Sequence, residues 1–476
     1  MKITDAVLVV AIAILLTACA GPPPTRDGAT ISEQTAPRFA AGGPDAEGYG
    51  VRDGYPIGDR STFFVHRLFF VGSQSHLDEI FEGRVIRKAV TPSRLTRVME
   101  PAIRWDFQGE AFTLDDYLAR NPATGLLIAR GDTIYVERYQ YGRNDHQRFT
   151  SHSMAKTVTS MLIGIAIAEG RIRSVDDMAA VYVPALAGTE YGRTSLRHLL
   201  QMSSGVRFVE NYSGTDDLTT LAASTFLQWS DGGVAAVTPF NERVRGSGTL
   251  FAYASVETQV LGLVLRRAVG RPVASYLEEK IWQPIGAEAD ATWLVDREGQ
   301  EATYCCLNAV LRDYARLGLL LAKDGNWRGR QVIPAAWIKD ATTVRVDQPH
   351  LRPGVVTPTF GYGYQTWIFA GERRMFALLG VRGQAIFVDP ISRARHGPHG
   401  CAQAAEWGSR RTGSGRPLAR SRARPGWLSR LLRQPGAVEL LVQEVRRRDG
   451  PSPQLGAVRD DPVPLQRVDV VDLFVQ

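Results

Sequence analysis

The sequence predicts one mixed α/β unit in which strands from both ends form a single sheet and helices fill the stretch between them. Two strands are predicted in GLLIARGDTIYVERYQYG, on either side of the turn at Gly131-Asp132. Two more are predicted far along the chain, in RRMFALLG and QAIFVDP. The stretch between them carries helical patterns and no strand–helix repeat, which excludes a β-α-β array. The chain has 476 residues, 44% of them hydrophobic, which is enough to bury a large core.

The N-terminus has the pattern of an export signal. Lys2 precedes an apolar run from Ala6 to Leu16, which is short for a membrane span and typical of a signal peptide. The run ends in Leu-Thr-Ala-Cys, which resembles a bacterial lipobox with Cys19 as the lipid-modified residue. We therefore expect a signal peptide over residues 1–18 and a lipid anchor on the periplasmic side of a bacterial envelope. A plain secretory signal with an accidental cysteine is the alternative.

The segments that follow the signal are expected to differ in order. Residues 19–50 are rich in Gly, Pro and Ala and are predicted to form a flexible tether. Residues 51–111 are mixed in composition, and the sequence assigns them no role. The catalytic domain is expected over residues 112–390.

Charge and cysteine content exclude two classes of function. The net charge is +7, but residues 391–450 alone carry +9, so the rest of the chain sums to −2 and no nucleic-acid surface is predicted. Cys305, Cys306 and Cys401 form no C-x-x-C spacing, so neither a zinc site nor a disulfide framework is indicated. The adjacent pair is expected to pack in the core without bonding.

The stretch RFTSHSMAKTVTSMLIGIAIAEG carries the first candidate site residues. Its helix is apolar on nearly all sides, which predicts a central buried position, and it is expected to end at Gly170. Ser153 and Lys156 lie three residues apart, so a helix brings them to one face. Burial would disfavour the ammonium form of the lysine and let its amine activate the serine hydroxyl. The alternative is a capping serine beside a lysine that extends to solvent.

Two distant stretches supply further candidates. Tyr253-Ala254-Ser255 precedes a predicted helix, and a tyrosine near a cation can shuttle a proton. Gly380-Val381-Arg382-Gly383-Gln384 ends a predicted strand. Gly383 would allow the backbone to approach a substrate, and the N–H of Gln384 could join that of Ser153 as an oxyanion donor. Each stretch alone also fits a core tyrosine or an ordinary turn.

With these motifs in this order, the chain resembles the serine β-lactamase and penicillin-binding-protein superfamily. The resemblance is to its class C branch, which includes esterases and 6-aminohexanoate-dimer (nylon-oligomer) hydrolases, and it covers roughly residues 112–390. It implies an antiparallel sheet flanked by helices plus an all-helical subdomain. It also implies that no metal or organic cofactor is needed.

The resemblance also assigns roles to residues. Ser153 would be the acylated nucleophile, and Lys156 and Tyr253 would share the proton transfer. Ser255 would hydrogen-bond near Lys156, and Tyr212 would lie on a loop at the cleft.

The chain departs from the β-lactamases at Val381, where those enzymes carry a Lys or His that binds the substrate carboxylate. An ester or a small amide is therefore the expected substrate, cleaved by a serine hydrolase. A β-lactamase or D-Ala-D-Ala carboxypeptidase is the alternative within the same chemistry. An envelope lipoprotein that keeps the fold as a non-catalytic binding module is the alternative from another class.

The sequence pattern of the last part of the chain does not fit this fold. From His396 to residue 450 the sequence shows no hydrophobic periodicity. This stretch contains many arginines and no lysine. We predict a frameshift just before His396, so that residues 391–476 form an aberrant, disordered tail; a natural basic tail is the alternative. The family's final strand and closing C-terminal helix are then expected to be lost, which would leave the hairpin at 125–142 without a partner.

Overall fold

A computed structural model describes residues 35–107, 110–390 and 473–475 of the chain. The predicted signal peptide, Cys19 and residues 391–472 lie outside the described residues, so the lipid anchor and the frameshift stay predictions. In the described part, no helix is both long and apolar enough to cross a membrane.

The main sheet is built largely from strands at the two ends of the predicted domain. The strands are β1 Arg38–Phe39, β2 Gly83–Ile86, β3 Thr96–Arg97, β4 Arg104–Phe107, β5 Glu110–Thr113, β6 Gly125–Arg130, β7 Thr133–Tyr139, β8 Phe149–Thr150, β9 Ala291–Leu294, β10 Leu307–Ala309, β11 Asn326–Trp327, β12 Arg330–Gln331, β13 Phe360–Tyr362, β14 Trp367–Phe369, β15 Phe376–Leu379, β16 Ala385–Val388 and β17 Leu473–Val475. The main sheet runs in the order β1-β7-β6-β17-β16-β15-β14-β13, and β3 also pairs with β7. A smaller antiparallel sheet has the order β2-β9-β10-β8.

The helices lie between the strands in sequence and pack around one central helix. They are α1 Phe70–Gln74, α2 Leu77–Ile80, α3 Leu114–Arg120, α4 Ala155–Ala168, α5 Leu196–Leu200, α6 Asp217–Ser224, α7 Ser255–Val269, α8 Val273–Leu277, α9 Leu311–Ala322 and α10 Ala335–Ala341. Helix α4 packs against α7 and α10, and α9 packs on β6 and β16. The predicted hairpin, the buried helix and the distant closing strands are therefore all present.

Helix α4 is buried along most of its length, as its apolar sequence predicted. Every residue from Ala155 to Ala166 is buried, including Lys156. Gly164 allows the Trp337 ring of α10 to lie against the helix, because a Cβ there would fall 2.3 Å from the ring. The helix ends just before Gly170, whose φ of +70° suits glycine.

The position expected to be left empty by the lost strand is occupied. Strand β17, from the segment assigned to an aberrant tail, lies antiparallel to both β16 and β6. The expectation that the hairpin of β6 and β7 lacks a partner is therefore wrong, because three residues after the predicted break supply the missing ladder. The predicted loss of the closing C-terminal helix concerns residues outside the described part of the chain.

Two other segments differ from what the sequence indicated. Residues 35–50, assigned to the tether, lie against the sheet: β1 runs parallel to β7, and Ala40 N donates to Tyr139 O at 2.9 Å. Cys305 and Cys306, expected to pack without bonding, are joined by a disulfide, and both are buried.

Candidate active site

Ser153 lies on a tight turn between the small sheet and the central helix. Strand β8 ends at Thr150, and a 3-10 turn over His152–Met154 leads into α4. The turn is fixed to β10, since Ser151 N donates to Leu307 O at 2.7 Å and Leu307 N donates to Ser151 Oγ at 3.1 Å. Ser153 is thereby held at the N-terminal end of a buried helix, where backbone N–H groups and the helix dipole favour developing negative charge.

Lys156 contacts the serine hydroxyl directly. Its Nζ donates to Ser153 Oγ at 2.9 Å and to the backbone carbonyl oxygen of Tyr304 at 3.0 Å. Only 1% of the lysine is exposed. Burial lowers the pKa of Lys156 to about 8, although the nearby carboxylate of Glu210 acts in the opposite direction. A minor fraction of this amine is therefore already unprotonated at neutral pH and able to accept a proton, and that fraction grows as the pH rises.

Tyr253 lies close to the lysine. The Lys156 Nζ is 4.9 Å from the centre of the Tyr253 ring. That ring stacks on Trp367 at 5.6 Å and meets Tyr362 edge-on at 6.2 Å. Tyr253, Lys156 and Ser153, which are spread over 101 positions of the sequence, are thus brought into one cluster with an aromatic wall.

Ser255, expected to hydrogen-bond near Lys156, bonds a carboxylate whose charge acts on the lysine. It is the first residue of α7, and its Oγ donates to Glu210 Oε1 at 2.9 Å, while its backbone N–H donates to Glu210 Oε2 at 2.8 Å. The charge of Glu210, in turn, acts on Lys156. Ser255 is therefore linked to the lysine through a carboxylate.

Glu210 was missed by sequence reasoning. Tyr212 OH also donates to its carboxylate, at 2.9 Å, so Glu210 joins the loop of Tyr212 to the start of α7. The loop is held in turn by Asp216, which accepts from Tyr212 N at 2.7 Å. The available signal was its position in VENYSGTDD, two residues before a tyrosine already selected as a candidate.

The Gly380–Gln384 stretch forms the tight turn between β15 and β16. Gly383 N donates to Gly380 O at 3.2 Å, and Gly380 N donates to Gln384 O at 2.7 Å. Gly383 has φ +93°, which a side chain would disfavour. A Cβ at Gly380 would fall 2.9 Å from Ser151 O, so this turn lies against the backbone that leads into Ser153. Gln384 follows directly, and its role as an oxyanion donor stays a prediction.

Arg382 contacts the N-terminal part of the chain. Its Nη2 donates to Phe64 O at 2.8 Å, and its guanidinium lies over the Phe64 ring at 4.3 Å and the Phe70 ring at 4.5 Å. Val381 beside it carries no charge. The one charged side chain of this turn, Arg382, therefore contacts the N-terminal part of the chain.

His152, next to the serine, is held by the same N-terminal segment. Its Nε2 lies 2.6 Å from Gln74 Oε1, and its ring meets Phe64 at 5.8 Å. Burial, with the nearby charges of Arg382 and Lys156, lowers the pKa of His152 to about 3. The imidazole is therefore neutral at physiological pH and is tied to Gln74.

The chain is similar to several known hydrolases. The chain is 26% identical over 298 residues to a 6-aminohexanoate-dimer hydrolase of Paenarthrobacter ureafaciens, an alignment that covers 61% of this chain and 76% of that protein. It is 23% identical over 186 residues to a β-lactamase of Pseudomonas fluorescens, covering 37% of this chain and 47% of that one. A solved structure of a Bacillus anthracis protein, described as a candidate 6-aminohexanoate-dimer hydrolase, has the same fold with a TM-score of 0.61. That chain is 24% identical, and the match covers 68% of this chain and 86% of the other.

A family model supplies the assignment. The model of the beta-lactamase family matches residues 113–395, which is more than half of the chain and includes the Ser153, Lys156, Tyr253 and Gln384 positions. The protein therefore belongs to the beta-lactamase family and is a serine hydrolase with the β-lactamase/transpeptidase-like fold.

Proposed function

We propose that this protein cleaves an ester or a small amide through an acyl-enzyme on Ser153. The observation that carries the proposal is the contact of 2.9 Å between Lys156 Nζ and Ser153 Oγ, made by a lysine with a lowered pKa. A neutral amine at that distance can take the serine proton as the oxygen attacks a carbonyl carbon.

The remaining steps use groups beside this pair. The proton passes from Lys156, by way of Tyr253, to the leaving alcohol or amine, which departs as the acyl-enzyme forms. A water then gives its proton to the same pair and attacks the ester carbonyl, which releases the acid and restores the serine hydroxyl. The backbone N–H groups of Ser153 and Gln384 would stabilise the oxyanion of both tetrahedral intermediates.

The residues around Ser153 and Lys156 favour a substrate without a carboxylate next to the scissile bond. Val381 stands where a cation would be needed, and Glu210 places negative charge near Lys156. Tyr253, Tyr362 and Trp367 form an apolar wall suited to a hydrocarbon chain. These features support small linear esters and amides, and they weigh against the β-lactamase or D-Ala-D-Ala carboxypeptidase alternative.

Covalent labelling tests the proposal and separates it from a non-catalytic binding module. A fluorophosphonate probe is expected to label the protein at Ser153, to fail with Ser153→Ala, and to label the control Ser61→Ala normally, because Ser61 is an exposed residue of the N-terminal segment. Peptide mapping by mass spectrometry locates the adduct. Unlabelled Ser153 in folded protein would contradict the proposal.

Rates on p-nitrophenyl esters of increasing chain length, a 6-aminohexanoate dimer and nitrocefin then rank the substrate classes. Dominant turnover of nitrocefin would favour the β-lactamase alternative.

The pH dependence of acylation is expected to report the ionisation of Lys156. Because the neutral amine is the base, kcat/KM should rise with pH and level off above the lysine pKa of about 8. Glu210→Gln removes the charge that favours the ammonium form, so the midpoint should move to lower pH. The measurement is kcat/KM for a p-nitrophenyl ester between pH 5 and pH 10, and a profile that falls over this range would rule out Lys156 as the base.

A further inference from the structure

We propose that residues Phe64–Gln74, here called the clamp segment, position the two backbone groups that stabilise the oxyanion. This inference rests on the proposed function, because it concerns the same site. The clamp segment comprises a 3-10 turn over Arg67–Phe69 and helix α1. It lies outside residues 113–395, which the family model matches, and in the part of the chain to which the sequence assigned no role.

One side of the clamp segment fixes the turn that carries Gln384. The Arg382 guanidinium is held between two aromatic rings of the segment and donates to the carbonyl oxygen of Phe64. Arg382 N donates to Gln384 Oε1 at 3.1 Å, which ties the anchored residue to the expected oxyanion donor. Attraction between the guanidinium and the two rings favours one orientation of the turn.

The other side fixes the turn that carries Ser153. Gln74 forms a hydrogen bond with the ring of His152, the residue immediately before the nucleophile. The Phe64 ring contacts the same imidazole. His152 has φ +40°, a backbone conformation that residues other than glycine rarely adopt. Contacts with the surrounding residues must therefore maintain it. Phe64 thus contacts both His152 and Arg382, the anchors of the two expected donors.

The clamp segment is itself anchored to the preceding chain. Gly58 N donates to Ser73 Oγ at 3.0 Å. The segment also packs so closely that a Cβ at Gly72 would fall 2.2 Å from Pro56 O. Val71, Gly72 and Ser73 are all buried. Oxyanion donors act only within a few tenths of an ångström of their required positions, so a rigid element that contacts both turns sets their spacing.

Replacing Arg382 tests the inference with a matched control. Arg382→Met removes the cation and keeps most of the stem, while Arg382→Lys keeps a cation over the rings. Arg60→Met is the control, because Arg60 also lies over a phenylalanine ring, at 5.4 Å from Phe81, and donates to a backbone carbonyl, Leu227 O, at 2.9 Å. The three variants and the parent protein are compared as full chains by thermal unfolding, ester kinetics and fluorophosphonate labelling.

Arg382→Met is expected to lower kcat about tenfold or more with little change in KM, since loss of one oxyanion donor typically costs a factor of about 100 to 1,000 and displacement costs part of that. The rate constant for labelling should fall in the same proportion, because the phosphonate adduct uses the same donors. Arg382→Lys should recover part of both rates. Arg60→Met should keep both rates within about twofold of the parent.

Amide hydrogen exchange separates failure of this inference from failure of the proposed function. Exchange in peptides that contain residues 380–384 should rise in Arg382→Met and stay unchanged in Arg60→Met. Unchanged hydrogen exchange in residues 380–384 of Arg382→Met, or a kcat of this variant equal to that of Arg60→Met, would contradict the proposal that the clamp segment positions the oxyanion donors. If Arg382→Met does not fold, Gln74→Met gives the same comparison at His152. If the fluorophosphonate probe does not label the parent protein, that result would instead contradict the proposed acyl-enzyme mechanism, whatever the exchange data show.

Discussion

Lys156→Arg is expected to leave the protein folded and to slow acylation of Ser153 at least about a hundredfold, the usual scale for loss of a general base. The guanidinium keeps the positive charge and a similar stem, but its pKa is too high for it to accept a proton at neutral pH. The lysine of the parent meets both requirements, because burial lowers its pKa to about 8 and its Nζ lies 2.9 Å from the hydroxyl. Stopped-flow measurement of the acylation burst with a p-nitrophenyl ester gives the rate directly.

Lys339→Arg is the matched control, since Lys339 is an exposed residue in the last turn of α10. It should acylate at the parent rate. Lys156→Met removes the base without introducing a larger buried cation, so it provides the same comparison if the guanidinium disturbs packing. Near-parent acylation in a folded Lys156 variant would show that another group takes the serine proton.

Phe474→Pro is expected to destabilise the whole sheet. Phe474 is the middle residue of β17 and is paired with Ile386 on one side and Leu127 on the other. Proline has no N–H, and because β17 has a neighbour on each side, the lost donor leaves a ladder carbonyl without its partner. An unsatisfied buried carbonyl costs about 1–3 kcal/mol, and the ring adds a steric cost. Chemical denaturation should show a lower midpoint, with a loss of activity that follows the loss of folded protein.

Phe474→Val is the control, because valine keeps the ladder N–H and a high strand propensity. It should unfold close to the parent. Equal stability of the proline variant and the parent would mean that these residues do not bridge β6 and β16 in solution.

Local features of the site were predictable from sequence, because the chain itself fixes them. A spacing of three on a helix brings Lys156 to Ser153, and the structure places the two in hydrogen-bond contact. The same holds for the hairpin of β6 and β7, which adjacent strand patterns and one turn specify. The order of the motifs also indicated the family, which the family model confirms.

Contacts between distant segments were not predictable in this way. Glu210 accepts from Ser255, 45 residues away, and nothing in the spacing of either residue indicates the other. A hydrogen bond from Ser255 to a carboxylate is stronger than one to a neutral acceptor, which favours this pairing. Strand β17 was missed for a similar reason, since three residues carry too little hydrophobic periodicity to predict a strand.

The bond between Arg382 and Phe64 joins residues 318 positions apart, which has a consequence for the order of events during folding. The entropic cost of bringing two segments together grows with the length of chain between them, so contacts of this range form after the local hairpin and the helix of Lys156. The hydrogen bond between Lys156 and Ser153 spans only three residues, whereas the turn of Gln384 acquires its final orientation only when the two ends of the domain meet. During refolding, ester hydrolysis should consequently return later than helical circular dichroism, as one of the last native properties to be recovered.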